Sequence, residues 1–600
     1  MTYAAPVRQI RFALDSIAGI GSLHGNAAYG DFGEDVVSAI LEEAGRFASE
    51  VIGPLNRNGD VEGARLENGR VVLPSGFADA YGQFVASGWG SVTGPVAHGG
   101  QGLPHTLGLA VQEMWNGASM AFGLCPLLSQ GAIDALVAHG SDAQRRLYLP
   151  KLVSGEWSGT MNLTEPQAGS DVGALKARAV RQADGTYRIT GTKIYITWGE
   201  HDAAANIVHL VLARLPDAPP GTRGISLFLV PKYLPDEQGR PGVRNDLRCV
   251  GLERKLGIHG SPTCVMAFGD SGGATGFLIG AENKGMSAMF TMMNSARLAI
   301  GMQGVGVAER SFQQSLAQAR ERRQGKPFGL QHEARDMVPI IFHADVRRML
   351  LTQKAMIEAA RAICLANAVA IDLARHGESA EIRAAAKARE ELLIPISKAW
   401  STDMAVEVTS LGVQIHGGMG FVEDTGVAQH FRDARITPIY EGTNGIQSID
   451  LFGRKLALDG GGAVRAFLED VAATAAQCAA GDPVLASIGS ELLKVHAACA
   501  EATAWLQTTM RSSPYEALPG SQPYLQMMGL LAGGFYLARG AIEARRLMGH
   551  AGQDAAFLST RICVAQFFAE QLLPRAVGLL GPVTRGGGGP FQLGAAEIGL

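Results

Sequence analysis

The sequence predicts a multidomain protein of the α+β class, with helical parts on both sides of a β-rich middle. At 600 residues the chain is too long for one hydrophobic core. Apolar residues recur at helical spacing early and late in the chain, and short β-rich runs lie between them. We therefore divide the chain into an N-terminal extension (1–34), a helical domain (35–157), a β-domain (158–280), a helical bundle (281–457) and an additional helical domain (464–600).

Each part has its own periodicity. In "DVVSAILEEAGRFASEVIGPLN" five apolar residues share one predicted helix face: Val36, Ile40, Ala44, Phe47 and Val51. The runs "YRITGTKIYIT", "NIVHLVLARL" and "GISLFLVP" are typical of strands. Further on, a three-four spacing that only Glu309 interrupts predicts one long helix, with Leu298, Met302, Val305, Phe312, Leu316 and Ala319 on one face. The glycine run "DGGGAV" from Asp459 predicts a linker before the last domain.

Composition excludes several classes of protein. Hydrophobic residues make up 47% and charged residues 18% of the chain, which indicates a globular protein and not a disordered one. The net charge of −4, without a basic stripe, gives no reason to expect nucleic acid. The cysteines contain no Cys-x-x-Cys pair, so we expect free thiols and no metal site. Small molecules or proteins are the expected partners.

The N-terminus and the apolar tracts indicate where the protein acts. The start, "MTYAAPVRQIRFALD", has no unbroken apolar run and is not typical of a signal peptide. The tract "MMGLLAGGFYLA" from Met527 falls short of the roughly 20 residues that a spanning helix needs. We expect a cytoplasmic protein with no membrane span.

One carboxylate stands out in "ITPIYEGTNGIQSID". Glu441 lies among apolar residues, namely Ile436, Pro438, Ile439 and Ile446. A carboxylate in a dry pocket resists ionisation, so its pKa rises toward the range in which it takes and holds a proton. Taken alone, a glutamate at the surface of a loop is the more frequent meaning.

Two further stretches have the residue types of a cofactor site. The loop "MNLTEPQAGSD" combines hydroxyls with flexible backbone, which suits donors directed at a phosphate or a heteroaromatic edge. In "KIYITWG" strand alternation places Tyr195 and Thr197 on one face, where they could stack on and hydrogen-bond a flat ring, although a plain sheet face is more common. The glycine-rich "GMQGVG" and "GWGSVTG" lack the strand, turn and helix of a dinucleotide fingerprint.

The combination of motifs is more specific than any one of them. "LTEPQAGSD", "GTKIYIT", "QIHGGMGF" and "RDARITPIYEGTNGIQ", in this order, resemble the acyl-CoA dehydrogenase family over about residues 35–455. The resemblance implies that family's fold, with a helical N-domain, a middle β-domain and a C-terminal bundle, here followed by an additional C-terminal helical domain. It also implies FAD as cofactor, an acyl-CoA thioester as substrate, and Glu441 as the base that removes the α-proton. The position where some relatives carry the base instead is Ala296, which cannot act as one.

The resemblance also assigns binding roles. The residues implied at the FAD are Met161, Leu163, Thr164, Gly169, Ser170, Tyr195, Thr197, Gln414, Gly417, Gly418 and Thr443, with Arg322 and Gln324 reaching the FAD of a neighbouring subunit. The residues implied at the acyl-CoA are Ser170, Asn294, Arg297 and Gly442. In relatives the backbone N–H of the base and a flavin ribose hydroxyl hold the thioester carbonyl.

The resemblance implies the reaction that is common to the family. The expected reaction is α,β-dehydrogenation to a trans-2-enoyl-CoA, with an electron-transfer flavoprotein as acceptor. The N-terminal start and the segment "FTMMNSARL" resemble the branch of the family that acts on 3-(methylthio)propanoyl-CoA, which is the preferred substrate. A medium- or long-chain fatty acyl-CoA dehydrogenase, an acyl-CoA oxidase and a non-catalytic flavoprotein scaffold remain as alternatives. We expect a homodimer.

Overall fold

The computed structural model describes residues 3–328, 337–585 and 589–599. Backbone contacts divide the chain into two units. One unit combines the N-terminal segment Pro6–Glu42 with Ile300–Leu600, and the other consists mainly of Glu43–Ala299. The N-terminal extension therefore belongs with the C-terminal half of the chain, which its position in the sequence did not suggest.

Helices precede the β-rich part, as predicted. Their bounds are α1 (Val7–Phe12), α2 (Glu34–Phe47), α3 (Leu55–Glu62), α4 (Phe77–Ala86), α5 (His105–His139) and α6 (Asp142–Ser154). In α2 the fully buried residues are Val37, Leu41 and Ala44, whereas Val36 and Ile40 are only half-buried. The predicted helix is present, and Ala44 and Phe47 of the predicted face are buried, but in the first half of α2 the buried positions are Val37 and Leu41, one residue along from Val36 and Ile40.

Within the described ranges, α5 is the one helix with the length and apolar composition of a membrane span. In its most apolar window, 78% of the residues are buried inside the protein, as in a core helix. By length and composition alone it is weak evidence for a span. The sequence prediction weighed a different tract, from Met527, which lies in a helix of the C-terminal domain.

An eight-stranded sheet forms the middle of the chain. The strands of the described residues are β1 (Arg65–Glu67), β2 (Arg70–Val72), β3 (Trp157–Asn162), β4 (Arg178–Arg181), β5 (Tyr187–Thr197), β6 (Asn206–Arg214), β7 (Ile225–Pro231), β8 (Tyr233–Pro235), β9 (Pro241–Arg244), β10 (Leu247–Leu252), β11 (Thr263–Phe268) and β12 (Ala274–Ile279). β1 with β2, and β8 with β9, form separate two-stranded sheets. The order in the main sheet is β10-β11-β5-β12-β7-β6-β3, with β4 pairing β5 and β6. β3 pairs with β6 in parallel and is buried along its whole length.

The pairing of β5 with β11 contains a β-bulge. Cys264 lies opposite Ile196 and Met266 opposite Lys193, so an extra residue of β5 is accommodated between these pairs. Tyr195 lies there with φ of +61°, in the left-handed region. A bulge interrupts the two-residue repeat, so the alternation by which Tyr195 and Thr197 were placed on one face is not strict here.

Long helices form the next part, as predicted. They are α7 (Gly285–Glu321), α8 (Ala344–His376), α9 (Ala380–His416), α10 (Val427–Ala434) and α11 (Asn444–Asp450). The predicted long helix lies within α7, and its interruption at Glu309 has a structural reason. Glu309 is buried and accepts a hydrogen bond of 2.9 Å from Arg361 of α8, so its charge is paired inside the core.

The C-terminal helices pack on α8 and α9. They are α12 (Gly462–Ala479), α13 (Pro483–Ser512), α14 (Pro514–Ala517), α15 (Ser521–Leu547), α16 (Ala555–Phe567), α17 (Arg575–Gly578) and α18 (Leu580–Thr584). A turn with left-handed backbone at Asp459, Gly460 and Gly461 separates this domain from the bundle, where the sequence predicted a linker. α15 crosses α9 closely, since a Cβ on Gly529 would lie 2.3 Å from Cγ of Trp400.

Candidate active site

Glu441 lies in the turn between α10 and α11, and its backbone is strained. Its φ is +53° and that of Gly442 is +88°, both in the left-handed region. The backbone N–H of Asn444 donates to the carbonyl of Pro438 at 3.0 Å and closes the turn. A left-handed residue other than glycine is held there only by its surroundings and is frequent at functional sites.

The apolar residues expected around Glu441 are not buried. Ile439 is 47% and Ile446 is 36% exposed, and Ile436 and Pro438 are half-buried, as is Glu441 itself. The expectation of a closed dry pocket is therefore wrong for this unit. The turn and the start of α11 leave these side chains at the surface. The prediction failed because a composition rich in isoleucine does not determine which way a turn faces.

Tyr440 connects the turn to the long helix α7. Its hydroxyl donates a hydrogen bond to the side-chain oxygen of Gln303. Burial, followed by the negative charges of Glu441 and Asp433, raises the pKa of the Tyr440 hydroxyl well above its ordinary value. Tyr440 therefore stays a neutral hydrogen-bond donor beside the carboxylate of Glu441.

Thr443 ends the turn by capping α11. Its hydroxyl oxygen accepts a hydrogen bond of 3.2 Å from the backbone N–H of Ile446. Asn444 then binds the side of α9 through its amide. Glu441, Gly442 and Thr443, three residues predicted at the site, are thus brought together on one clamped turn.

A second group of predicted residues lies in the β-domain unit. Met161 is at the buried end of β3, and Leu163, Thr164, Gly169 and Ser170 follow it in a loop with partly or fully exposed side chains. A Cβ built on Gly169 meets nothing within 4 Å, so the backbone is open to a ligand there.

Lys193 of β5 holds this loop. Its ammonium donates to the carbonyl oxygen of Leu163 at 3.0 Å and to the carboxylate of Glu165 at 2.8 Å, and both side chains are buried. The backbone N–H groups of Lys176 and Ala177 also donate to Glu165, at 2.7 and 3.0 Å. Burial acts to raise the pKa of Glu165, but Lys193 and these donors outweigh it and hold the pKa below its ordinary value.

The fixed loop and the exposed ring of Tyr195 suit a flat cofactor. The Tyr195 side chain is 59% exposed at the bulge of β5. Thr197 is half-buried and lies opposite Thr263 of β11. The backbone N–H of Ile194 donates to the carbonyl of Thr164 at 3.0 Å, so the loop and the strand are one rigid piece. An exposed aromatic ring beside an ordered loop with open backbone fits the isoalloxazine ring of FAD.

The remaining predicted FAD residues lie at two helix ends. Gln414 and the pair Gly417 and Gly418 are exposed where α9 ends, and Gly417 has a φ of +62°. A Cβ on either glycine meets nothing within 4 Å. Arg322 and Gln324 follow the end of α7, where the Gln324 N–H donates to Val338 at 3.0 Å. These open positions fit the adenosine and pyrophosphate parts of FAD.

The residues predicted for acyl-CoA lie near the start of α7. Asn294 is half-buried and Arg297 is only 4% exposed. Ala296, the alternative position of a base, is buried beside Arg297 and carries no titratable group.

Sequence reasoning missed the polar chain beneath β3. His201 hydrogen-bonds with Ser158 at 2.9 Å, and His209 hydrogen-bonds with Thr160 at 2.8 Å. Burial, followed by the positive charge of Lys232, lowers the pKa of both imidazoles to about 3. Both rings therefore stay neutral and support the strand that leads into the loop. Glu165, Lys193 and Asn444 were missed as well, although each lies inside a quoted motif.

Family models match the chain from residue 35 to residue 592. They are described as "Acyl-CoA dehydrogenase, N-terminal domain" (residues 35–156), "middle domain" (160–271), "C-terminal domain" (283–456) and "Acetyl-CoA dehydrogenase C-terminal like" (467–592). A protein named 3-methylmercaptopropionyl-CoA dehydrogenase, from Ruegeria pomeroyi, is 52% identical over 573 residues, which are 96% of each chain. The chain belongs to the acyl-CoA dehydrogenase family.

Solved structures agree with this acyl-CoA dehydrogenase fold. An acyl-CoA dehydrogenase from Bacillus anthracis, complexed with FAD, has a TM-score of 0.73 at 20% identity, over 98% of this chain and 93% of that one. A chain in a structure titled for the electron transferring flavoprotein of Acidaminococcus fermentans has a TM-score of 0.57 at 25% identity, over 72% and 100%.

Membership of this family confirms the predictions that concern fold, enzyme class, cofactor and class of substrate. The fold with an additional C-terminal helical domain, the flavin-dependent dehydrogenase class, FAD and an acyl-CoA substrate are confirmed for this acyl-CoA dehydrogenase. The roles of individual residues and the domain boundaries remain predictions.

Proposed function

We propose that this acyl-CoA dehydrogenase oxidises 3-(methylthio)propanoyl-CoA to its trans-2-enoyl-CoA, with Glu441 as the base. The observation that carries the reaction is the carboxylate of Glu441 on a strained, clamped turn. The 52% identity to the Ruegeria pomeroyi protein over nearly the whole chain supports the choice of substrate.

The chain's own residues would do the following work. Glu441 accepts the α-proton of the thioester, and its backbone N–H donates to the thioester carbonyl as negative charge develops there. The loop from Leu163 to Ser170, with Tyr195 and Thr197, would hold the flavin ring. FAD, when bound, supplies an acceptor for the hydride that leaves the β-carbon. Arg297 lines the path of the CoA.

Electron transfer and assembly are part of the same proposal. An electron-transfer flavoprotein is the proposed acceptor, and the likeness to a chain in a structure titled for such a flavoprotein supports it. A homodimer is the proposed assembly, because Arg322 and Gln324 lie at an exposed helix end where they are available to a second subunit's FAD. The proposed location is the cytoplasm.

Anaerobic bleaching of the bound flavin by a panel of acyl-CoAs tests the reaction and the substrate together. We expect the methylthio compound to bleach the flavin fastest. Glu441→Gln is expected to bind FAD and acyl-CoA and to lose flavin reduction by several orders of magnitude, because an amide cannot accept the proton. The matched control, Glu378→Gln, changes an exposed glutamate and keeps the rate. Reduction of the Glu441→Gln enzyme at the wild-type rate would contradict the assignment of the base.

Air reoxidation of the product-bound enzyme tests the acceptor. We expect it to be slow beside reoxidation by an electron-transfer flavoprotein, because bound product keeps oxygen from the reduced flavin. Rapid turnover in air with stoichiometric peroxide would instead show an oxidase.

A further inference from the structure

Asn444 attaches the turn that carries Glu441 to α9 through its side chain. The side-chain oxygen of Asn444 accepts from the ammonium of Lys398 at 2.8 Å. Its amide nitrogen donates to the carbonyl of Ala399 at 3.0 Å and to the carboxylate of Asp403 at 2.7 Å, and lies 3.0 Å from the hydroxyl oxygen of Thr402. Both ends of the amide are engaged, so the start of α11, three residues after Glu441, has one position on α9.

The second oxygen of Asp403 is held from the C-terminal domain. Gln526 of α15 donates to it at 2.6 Å across 123 residues of sequence. Asp403 thus accepts one hydrogen bond from the Glu441 turn and one from the added domain. Burial raises the pKa of Asp403, against the hydrogen bonds from Asn444 and Gln526 and the charges of Lys398 and Arg435. Each of these two amides therefore helps to keep Asp403 ionised and in place.

Close packing around two glycines of α15 brings this helix near α9. A Cβ on Gly529 would lie 2.3 Å from Trp400, and one on Gly533 would lie 2.9 Å from Phe568 and 3.1 Å from Ala359. α15 also contacts α11 directly. Because α15 lies this close to α9, Gln526 reaches the carboxylate without a flexible segment between them.

We propose that Gln526 is a positioning residue for catalysis, acting on Glu441 through Asp403 and Asn444. The proposal rests on the proposed role of Glu441 as the base. In this arrangement the additional domain does more than bury apolar surface, because it sets where the carboxylate stands relative to the α-carbon. Small displacements of a catalytic group slow a proton transfer strongly while binding is retained.

The test is single-turnover flavin reduction of the FAD-loaded enzyme with 3-(methylthio)propanoyl-CoA and its α-dideuterated form. For Gln526→Leu we expect reduction about tenfold slower and a substrate dissociation constant within about twofold of wild type. We also expect a larger deuterium isotope effect, since proton abstraction limits the rate more. Gln522→Leu, an exposed glutamine one turn earlier on α15, is the control and keeps wild-type values.

An exchange of groups separates positioning from general destabilisation. Gln526→Glu alone places two carboxylates together and removes this hydrogen bond, whereas Asp403→Asn alone keeps it, because either amide can turn its oxygen toward the other's NH2 group. Combined, Asp403→Asn with Gln526→Glu restores donor against acceptor, and we expect flavin reduction within about threefold of wild type. This combined variant tests the positioning role of Gln526 even if Gln526→Leu does not fold.

Two results would overturn the proposal: reduction at the wild-type rate in Gln526→Leu, or a combined variant no faster than the slower single one. Glu441→Gln, measured in the same way, tests the base itself. If that variant reduces flavin normally, the proposed function fails, whatever Gln526 does.

Discussion

The ammonium of Lys193 lies 2.8 Å from the carboxylate of Glu165 and also donates to the backbone of Leu163, so one buried side chain connects β5 to the predicted flavin loop. An ion pair in such a place is weak evidence of stability, but breaking it is costly, because the remaining charge stays buried without its partner.

Lys193→Met is expected to destabilise the protein by about 3–5 kcal/mol and to weaken FAD retention. Urea unfolding and the flavin content after gel filtration measure the two effects. Lys176→Met, at an exposed lysine of the same loop region, is the control and should change neither. The double variant Glu165→Gln with Lys193→Met is expected to be more stable than Lys193→Met alone. If it is less stable, the buried charge is not the cause.

Gly442→Ala tests the strain beside the base. With φ of +88°, an added Cβ costs roughly 1–2 kcal/mol or moves the turn, so we expect slower flavin reduction with FAD still bound. Gly445→Ala, in the first turn of α11, meets only the Thr443 hydroxyl oxygen, at 3.7 Å, and is the matched control. Equal rates in the two variants would show that the left-handed turn is not required.

The buried imidazoles of His201 and His209 predict a loss of stability in mild acid. Because burial lowers their folded pKa to about 3 from 6.5, the unfolded chain takes up protons first, and stability present above pH 6.5 is lost as the pH falls toward 3. Between pH 7.5 and 5.5 each imidazole is expected to cost about 1.4 kcal/mol of unfolding free energy. Urea titrations at both pH values measure this.

His209→Gln should reduce the pH dependence of the unfolding free energy by the contribution of one imidazole. His550→Gln, at an exposed position, should leave this pH dependence unchanged. An unchanged slope in His209→Gln would mean that this imidazole has the same pKa in the folded and the unfolded chain.

Removal of the C-terminal domain is predicted to cost solubility. A chain that ends at Ala457 loses α15, which covers Trp400, and exposes an apolar helix face. We expect the full chain to be a dimer by light scattering at about micromolar concentration and the shortened one to aggregate or associate further. A chain that ends at Arg585 keeps α12–α18 and is the control. A full-length tetramer, or a shortened chain that remains a stable dimer, would contradict this prediction.

Local features were predictable from the sequence, and features set by distant partners were not. The order of helices and strands, the turn at Glu441 and the long helix over Glu309 each follow from spacing or turn residues within a short window. The bulge at Tyr195 was not predicted, because it depends on how β11 pairs with β5. The exposure of Ile439 and Ile446 was missed, since composition does not give the direction of a turn.

The role of Asn444 shows the same limit. Its neighbours Glu441 and Thr443 belong to a recognisable motif, but its partners Lys398 and Asp403 precede it by more than 40 residues. Gln526 lies 123 residues from Asp403, and no pattern in either segment points to the other. Only the packing of α15 on α9 brings them together.

Two segments from opposite halves of the sequence meet in this protein. Arg8 forms an ion pair of 2.7 Å with Asp554 and lies over the ring of Phe557, and the helical turns after α1 pack on α8 and α15. During synthesis on the ribosome the Glu441 turn therefore emerges well before the helices that complete its support. The N-terminal segment can pack in its final place only after the last domain has been made. We therefore expect the unit that carries the base to finish folding only after α16 has been translated, so that a product ending before it lacks this support even when Glu441 is present.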